Sequence, residues 1–168
     1  MESIEFNDYQ KEIMDVIGKG AFLTVKDQNE LNTMTIGWGN VGVIWGCPIF
    51  TVLVRHSRHT HKIIENTDQF TVSVPIHGQL KRELDYCGTH SGRDVDKFSE
   101  LGLELIEEKQ LDTPFIKGAD IHYECKIVYK QNMNSELLYD EKIREKYYPQ
   151  DDYHTIYYGK IINTYQEK

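Results

Sequence analysis

The segment R-H-S-R-H-T-H at 55–61 gathers two arginines and three histidines in a chain whose net charge is −8. It follows a β-type run and precedes K-I-I-E-N, which is typical of a short helix. Guanidinium groups are forked donors that fit phosphate oxygens, and the first N–H groups of a helix have no partners within it. Ser57 and Thr60 add hydroxyl groups beside Arg55 and Arg58. The segment therefore predicts a pocket for an anion, and phosphate fits it best.

Two other uses of this segment stay open. His56, His59 and His61 have a spacing found in metal sites, but at the end of a strand they would point in different directions. The neighbouring arginines would also oppose a metal ion. A solvated polar loop is the second alternative, and the segment alone does not decide between that loop and an anion pocket.

Three further features are ambiguous when each is taken alone. The segment S-G-R-D-V-D-K-F at 91–98 predicts a turn at Ser91 and Gly92 followed by solvated charges. Trp38 fits a core aromatic as well as a binding residue. The three cysteines are odd in number and far apart, which argues against a disulfide framework and a zinc knuckle. Simple packing is favoured for Cys87 and Cys125, and Cys47 fits either packing or a binding role.

The hydrophobic pattern of the first half predicts short helices among strands. A helix is expected from an N-cap at Asn7 to Gly18, and residues 21–39 predict two strands joined by a D-Q-N-E turn. Residues 41–50 predict a glycine-punctuated connection. The remaining elements expected in this half are a strand at 51–55, a helix at 59–68 and a strand at 70–75.

The second half predicts the longest strands of the chain. Helical spacing occurs within 78–102, and 103–109 has a strand-length alternation. Residues 134–148 are helical or loop-like. Strands are expected at 120–133 and 154–166, the first with one face formed by Ile121, Tyr123, Cys125, Ile127 and Tyr129. The fold class that follows is mainly β with helical insertions, an antiparallel barrel or sandwich forming a single domain over 1–168.

The composition excludes several classes of partner. Lys and Arg total 19 against 27 Asp and Glu, a balance that repels nucleic acid and anionic membrane. No apolar run approaches the roughly 18 residues that a membrane span needs. The acidic start M-E-S-I-E-F-N lacks the layout of a secretory signal, so a cytoplasmic protein is expected.

Five motifs occur in one order along the chain: N-x-M-T-I-G-W at 32–38, W-x-x-P at 45–48, R-x-x-R-x-T at 55–60, F-x-V-S-V-P at 70–75 and S-G-R-D-x-D-K-F at 91–98. In that order they resemble the flavin reductase-like, FMN-binding split-barrel family, which includes flavoredoxin-type proteins. H-T-I-Y-Y-G-K-I at 154–161 is similar to the closing strand of that family. Residues 132–153 match no part of the pattern.

The resemblance implies FMN as cofactor and assigns residues to it. Those that would line the flavin ring are Asn32, Met34, Thr35, Ile36, Gly37 and Trp38, with Cys47 beside them. Those that would hold the phosphate are Arg55, Ser57, Arg58 and Thr60, joined by Ser91 and Lys97. His154, at the start of the closing strand, is the catalytic candidate, because an imidazole there could contact a nicotinamide or supply a proton.

The implied activity is electron transfer from NAD(P)H through FMN to free flavin, another small acceptor or a protein. No G-x-G-x-x-G lies between a strand and a helix, so any nicotinamide would bind transiently against the flavin. The resemblance also implies a homodimer, and no metal site is expected. The alternatives are an electron-transfer module without enzymatic activity and a pyridoxamine-phosphate-oxidase-like barrel, although no second basic cluster for a substrate phosphate is found downstream.

Overall fold

A computed structural model describes residues 1–107 and 110–168. Antiparallel strands hold more of the chain than helices do. The strands are β1 Glu2–Ile4, β2 Ala21–Lys26, β3 Leu31–Ile36, β4 Gly39–Ile44, β5 Cys47–Arg55, β6 Gln69–Val74, β7 Leu105–Ile106, β8 Phe115–Ile116, β9 Ile121–Asn132 and β10 His154–Gln166. The helices are α1 Gln10–Val16, α2 His59–Ile64, α3 Lys81–Thr89, α4 Lys97–Leu101 and α5 Glu141–Tyr147, with 3₁₀ turns at Ile17–Lys19 and Ser135–Leu137.

One large sheet has the strand order β3-β2-β6-β9-β10-β5-β4, and β1 adds to β10. Every pairing in it is antiparallel. The sheet curls around a core that includes Phe50, Phe70, Tyr123 and Tyr157, all fully buried. Gly159 is required inside this curl, because a Cβ there would collide with the Phe70 ring. The predicted class, mainly β with helical insertions, describes this architecture.

The stretch 41–50 is a hairpin rather than the predicted connection. β4 and β5 pair along their length, and Ile44 faces Cys47 across the turn Trp45–Gly46. Both turn residues have positive φ, 55° and 68°, as a two-residue hairpin requires. Gly39, at the start of β4, is required there. Its backbone packs against the carbonyl oxygen of Thr51, which leaves no room for a side chain.

Other boundaries differ by smaller amounts. Asn7 does not cap α1, which begins after Tyr9, and no side chain caps it. On the face predicted for β9, Ile121, Tyr123 and Cys125 lie in the core and Ile127 packs against it. The register shifts after Ile127, and Tyr129 is 46% exposed. Within the predicted strand 103–109, the structure gives β7 only at its centre, and 108–109 lie outside the described residues.

The segment between β9 and β10 was predicted to be helical or loop-like. It contains the helix α5 with loops on either side. Asp140 caps α5 by accepting from the backbone N–H groups of Lys142 and Ile143. After α5 the chain turns at 148–153 and lies against the start of β10 and the end of β5. None of the described helices is long and apolar enough to cross a membrane.

Candidate functional site

A groove runs beside β3, an edge strand of the sheet. Its two main parts adjoin through Met34 and Arg58, which line both. The first part, called the aromatic cleft, is lined by Met34, Thr35, Ile36, Gly37, Trp38, Leu53, Arg55, Arg58 and His154. The second part, called the basic pocket, is lined by Asn32, Met34, Ser57, Arg58, His59, Thr60, Cys87, His90, Ser91, Gly92, Arg93 and Lys97.

Lys97 is the most deeply placed cation of the basic pocket, with 3% of its surface exposed. Its Nζ donates to the carbonyl oxygens of Thr33 (2.9 Å) and Cys87 (3.2 Å), which leaves one of three donors. Burial lowers the pKa of Lys97, an effect that the nearby charge of Arg58 reinforces. A buried ammonium with a spare donor is suited to binding an anion.

Two arginines complete the charge of the basic pocket. Arg58 donates from Nη1 to the carbonyl oxygen of Gly88 at 3.1 Å, and Arg93 donates from Nη2 to that of Ser57 at 2.8 Å. Each guanidinium carries five N–H donors, so most of them are left for a ligand. Arg93 was not among the predicted binding residues, although its place in S-G-R-D could have revealed it.

The S-G-R turn depends on glycine. A Cβ on Gly92 would collide with the side-chain oxygen of Asn32 and lie 3.0 Å from the His59 ring. This close approach brings Ser91 and Arg93 to the pocket. Asn32 was expected beside the flavin ring, but it lines the basic pocket and donates from Nδ2 to the Thr60 hydroxyl at 2.8 Å.

Ser57 also lines the basic pocket, but its donors are engaged by a carboxylate. Its backbone N–H and its hydroxyl donate to the two oxygens of Asp152, at 3.1 and 2.6 Å. Burial would raise the pKa of Asp152, but these hydrogen bonds outweigh burial and lower it. The donors predicted for a phosphate thus already bind an anionic group of the same chain.

The three histidines of 55–61 are used in different places. His56 and His61 each place Nε2 near the Thr155 hydroxyl, at 3.1 and 3.0 Å. His59 lines the basic pocket with Nε2 3.3 Å from a carboxylate oxygen of Glu30. Among the described residues, no group of His, Cys, Asp and Glu is arranged to hold a metal ion.

Arg55 turns toward the aromatic cleft, not toward the basic pocket as expected. Its Nη1 and Nη2 donate to the carbonyl oxygens of Asp152 (2.6 Å) and Tyr147 (2.8 Å). The guanidinium lies 5.0 Å from the ring centre of Tyr148 and 6.0 Å from that of Trp38. The cause is tertiary: the turn after α5 supplies carbonyl groups at the end of β5, and they hold the side chain there.

His154 lies at the base of the aromatic cleft. Its Nδ1 is 2.8 Å from the Tyr148 hydroxyl, and its ring centre is 5.1 Å from that of Trp38. Burial, and then the positive charge of Arg55, lower the pKa of His154 to about 4. The imidazole is therefore neutral at pH 7, and it can form hydrogen bonds but holds no ionic proton to release.

The residues of β3 and the turn after it that were predicted to line the flavin ring lie side by side. Met34, Thr35, Ile36, Gly37 and Trp38 follow one another along the aromatic cleft. The Thr35 hydroxyl donates to the carbonyl oxygen of Leu84, which ties β3 to α3. Trp38 is 38% exposed and packs edge-on against Tyr147, so it belongs to the cleft and not to the core.

Cys47 is not brought to the groove. It opens β5 beside the hairpin turn, paired with Ile44, while the cleft contains Leu53 and Arg55 near the other end of the strand. Leu53 lies six positions after Cys47 in the same strand, about 20 Å away at the usual rise. The hairpin formed by 41–50 thus places Cys47 away from the residues predicted to line the flavin ring.

Comparison with known proteins gives a consistent result. Residues 16–168 match the family model described as flavin reductase like domain. An uncharacterized protein of Archaeoglobus fulgidus is 30% identical over 118 residues, which are 70% of this chain and 66% of that protein. The match thus covers slightly less than two thirds of that relative.

Solved structures extend the likeness to the fold. A flavoredoxin from Methanosarcina acetivorans has a TM-score of 0.69 at 27% identity, over 89% of this chain and 68% of that one. An FMN-binding domain of a flavin reductase-like enzyme from Shewanella baltica gives 0.72 at 20% identity, over 98% and 76%. An NADH:FAD oxidoreductase from Streptomyces globisporus, solved with NAD and FAD fragments, gives 0.66 at 23%, over 99% and 87%. The fold is the predicted split β-barrel.

Proposed function

Because the chain belongs to the family of flavin reductase like domains, we propose that it binds FMN in the groove beside β3 and oxidises NAD(P)H. The reduced flavin would pass electrons to free flavin, another small acceptor or a protein. Membership bears out the resemblance drawn from the five motifs. The observation that carries the choice of a phosphorylated flavin over riboflavin is the basic pocket adjoining the aromatic cleft.

The basic pocket fits a phosphate group. Lys97 has a spare donor in a buried setting, Arg58 and Arg93 have several, and His59 has a buried Nδ1 without a hydrogen-bond partner among the described residues. Hydrogen bonds between charged groups are worth about 1.5–3 kcal/mol each. Ser91 and Thr60 line the same pocket. Together these residues would bind the terminal phosphate of FMN.

The aromatic cleft fits a flat ring. Met34, Ile36 and Trp38 offer apolar surface, and β3, as an edge strand, has backbone groups that no neighbouring strand takes. When bound there, the flavin would supply the hydride chemistry. The protein would hold the flavin and orient the nicotinamide against it. His154, neutral at pH 7, would contact the nicotinamide by a hydrogen bond.

An electron-transfer module that does not oxidise nicotinamides is the second candidate, which the 27% identity to a flavoredoxin favours. Anaerobic titration of FMN-loaded protein with NADH and NADPH separates the two. Bleaching of the flavin absorption at stoichiometric nicotinamide supports the reductase. A flavin that dithionite bleaches but neither nicotinamide does would leave the electron-transfer module.

We propose further that the chain works as a homodimer. Val43 and Trp45 are 65% and 64% exposed, and Trp45 packs beside Tyr129, itself 46% exposed. Exposed apolar side chains gathered on a hairpin and the nearby strand β9 are typical of an interface. Light scattering at micromolar concentration should give twice the chain mass for the native protein and a lower mass for Trp45→Glu. A native monomer would contradict the proposal.

The setting proposed is the cytoplasm, where the three free cysteines would stay reduced. The whole chain, 1–168, is proposed to act as one flavin-binding domain.

A further inference from the structure

We propose that Tyr148 is a positioning residue that fixes His154 in one tautomer, so that its Nε2–H donates into the aromatic cleft. The inference deepens the proposed function and rests on it. It also assigns a role to the turn after α5, which lies within the part of the sequence that matches no motif.

The hydrogen bond that carries the inference is buried. Tyr148 is 4% exposed, and its hydroxyl lies 2.8 Å from Nδ1 of His154 and 3.4 Å from the sulfur of Met133. A phenol has one proton to donate, and an imidazole nitrogen is a much stronger acceptor than a thioether. In the alternative arrangement Nδ1–H would donate to the phenol oxygen and the phenol would donate to the sulfur at 3.4 Å. Because that arrangement uses the weaker acceptor, we assign the Tyr148 hydroxyl as the donor to Nδ1. The proton of the neutral ring then lies on Nε2, the nitrogen left for the cleft.

Tyr148 is held firmly enough to fix another side chain. Its ring stacks on Tyr153 with centroids 4.6 Å apart and an interplanar angle of 17°. The Arg55 guanidinium lies 5.0 Å above the same ring and bonds the backbone of Tyr147 and Asp152 on either side. The turn after α5 and the end of β5 thus pack together around the Tyr148 ring and hold it in place.

The tautomer matters because the ring is uncharged. The charged and titratable groups acting on His154 are Arg55 from β5, Asp152 from the turn, and His56 and Arg58 from the loop before α2. Together with burial, the cations outweigh Asp152 and oppose protonation. A neutral imidazole presents either a donor or a lone pair to the cleft, and only the donor complements a carbonyl oxygen such as that of a nicotinamide carboxamide.

The experiment is ¹⁵N nuclear magnetic resonance of histidine-labelled, FMN-loaded protein at pH 7, with the His154 signals assigned by their loss in His154→Gln. The native protein should show His154 protonated on Nε2 and unprotonated on Nδ1. Tyr148→Phe, which keeps the ring and its packing, should shift His154 to a mixture of tautomers. Tyr139→Phe is the matched control, because Tyr139 lies in the same excursion and is 86% exposed. It should leave the tautomer unchanged.

Stopped-flow reduction by nicotinamide at saturating FMN is the second readout. Tyr148→Phe should slow reduction by about twofold to tenfold, the weight of one neutral hydrogen bond, with FMN affinity unchanged. A native His154 protonated on Nδ1, or a tautomer unaffected by Tyr148→Phe, would overturn the inference. Absence of reduction in the native protein would instead refute the reductase activity, and the resonance spectra would still decide the role of Tyr148.

Discussion

Two buried histidines of this chain, His154 and His122, are bonded to hydroxyl groups, and of these two only His154 lines the groove. In the groove, Nδ1 of His154 meets the Tyr148 hydroxyl. On the far part of the sheet, Nδ1 of His122 lies 3.0 Å from the Ser73 hydroxyl and Nε2 lies 3.2 Å from a carboxylate oxygen of Glu167. By composition the second cluster looks more like a catalytic site, because serine, histidine and a carboxylate can form a hydrolytic triad.

The surroundings reverse that impression. Ser73 and His122 have no exposed surface, and the serine oxygen also accepts the backbone N–H of Ile116 at 3.1 Å. Glu167 also accepts from the backbone N–H of Gly118. Each member is thus used by the fold, and no substrate can reach the serine. His154 differs in keeping one ring nitrogen for the cleft. Access and a free polar atom, more than residue types, distinguish the functional cluster.

The largest effect expected from this contrast is on stability. His122→Ala should lower the free energy of unfolding by about 2–4 kcal/mol, since it opens a cavity and strips Ser73 and Glu167 of a partner. Urea unfolding measures the loss. FMN affinity of the folded variant, titrated well below the transition, should stay native. A variant of native stability that binds FMN poorly would reverse the assignment.

His154→Ala should act on the reaction instead. Reduction by nicotinamide is expected to fall by about tenfold to a hundredfold, the scale for loss of a group that orients the substrate. FMN affinity should hold within about threefold, since the basic pocket is intact. Stopped-flow kinetics at saturating FMN provide the rate, and Tyr139→Phe serves as the control. Native rates would remove His154 from the mechanism.

The same variant should flatten the response of stability to acid. The folded-state pKa of His154, about 4, lies below the value of about 6.5 for an unfolded histidine. The unfolded chain therefore binds the proton first, and stability falls as pH drops from about 6.5 toward 4. His122, whose pKa burial also lowers, contributes in the same direction. Urea midpoints across this range should fall less steeply in His154→Ala than in the native protein.

Lys97→Met tests the basic pocket. The FMN dissociation constant should rise about tenfold or more, the weight of one charge-assisted hydrogen bond. Stability of the FMN-free protein should change little, because removal of a desolvated charge offsets the loss of bonds to Thr33 and Cys87. Fluorescence titration and urea unfolding give the two values. Unaltered affinity would mean that Arg58 and Arg93 hold the phosphate without Lys97.

The smallest effect is expected at Cys47. Cys47→Ser should leave FMN affinity and reduction rate within about twofold of native, because about 20 Å of strand separates the residue from the cleft. A larger change would mean that the hairpin reaches the groove of a second copy. FMN affinity would then be compared between Cys47→Ser and Trp45→Glu, which should weaken the dimer. A similar loss in both variants would place Cys47 at the groove of the second copy.

The sequence predicted the elements governed by local pattern. Alternation located β9 and β10, and R-x-x-R-x-T with S-G-R-D supplied most of the basic pocket. The sequence did not predict the features that depend on contacts between distant parts of the chain. The hairpin was not predicted because its turn requires a positive φ at Trp45, and tryptophan rarely adopts a positive φ. The direction of Arg55 depends on carbonyl groups nearly a hundred positions away. Tyr148 gave no signal, since nothing local shows that the turn after α5 returns to His154.

We propose above all that a flavin binds with its phosphate in the basic pocket and its ring in the aromatic cleft. Paired titrations with FMN and riboflavin test this most directly. Flavin fluorescence at fixed ionic strength gives both dissociation constants. Riboflavin has the same ring and lacks the phosphate. We expect FMN to bind about tenfold tighter or more, as one charge-assisted hydrogen bond alone would give. Equal dissociation constants for the two flavins would contradict the claim.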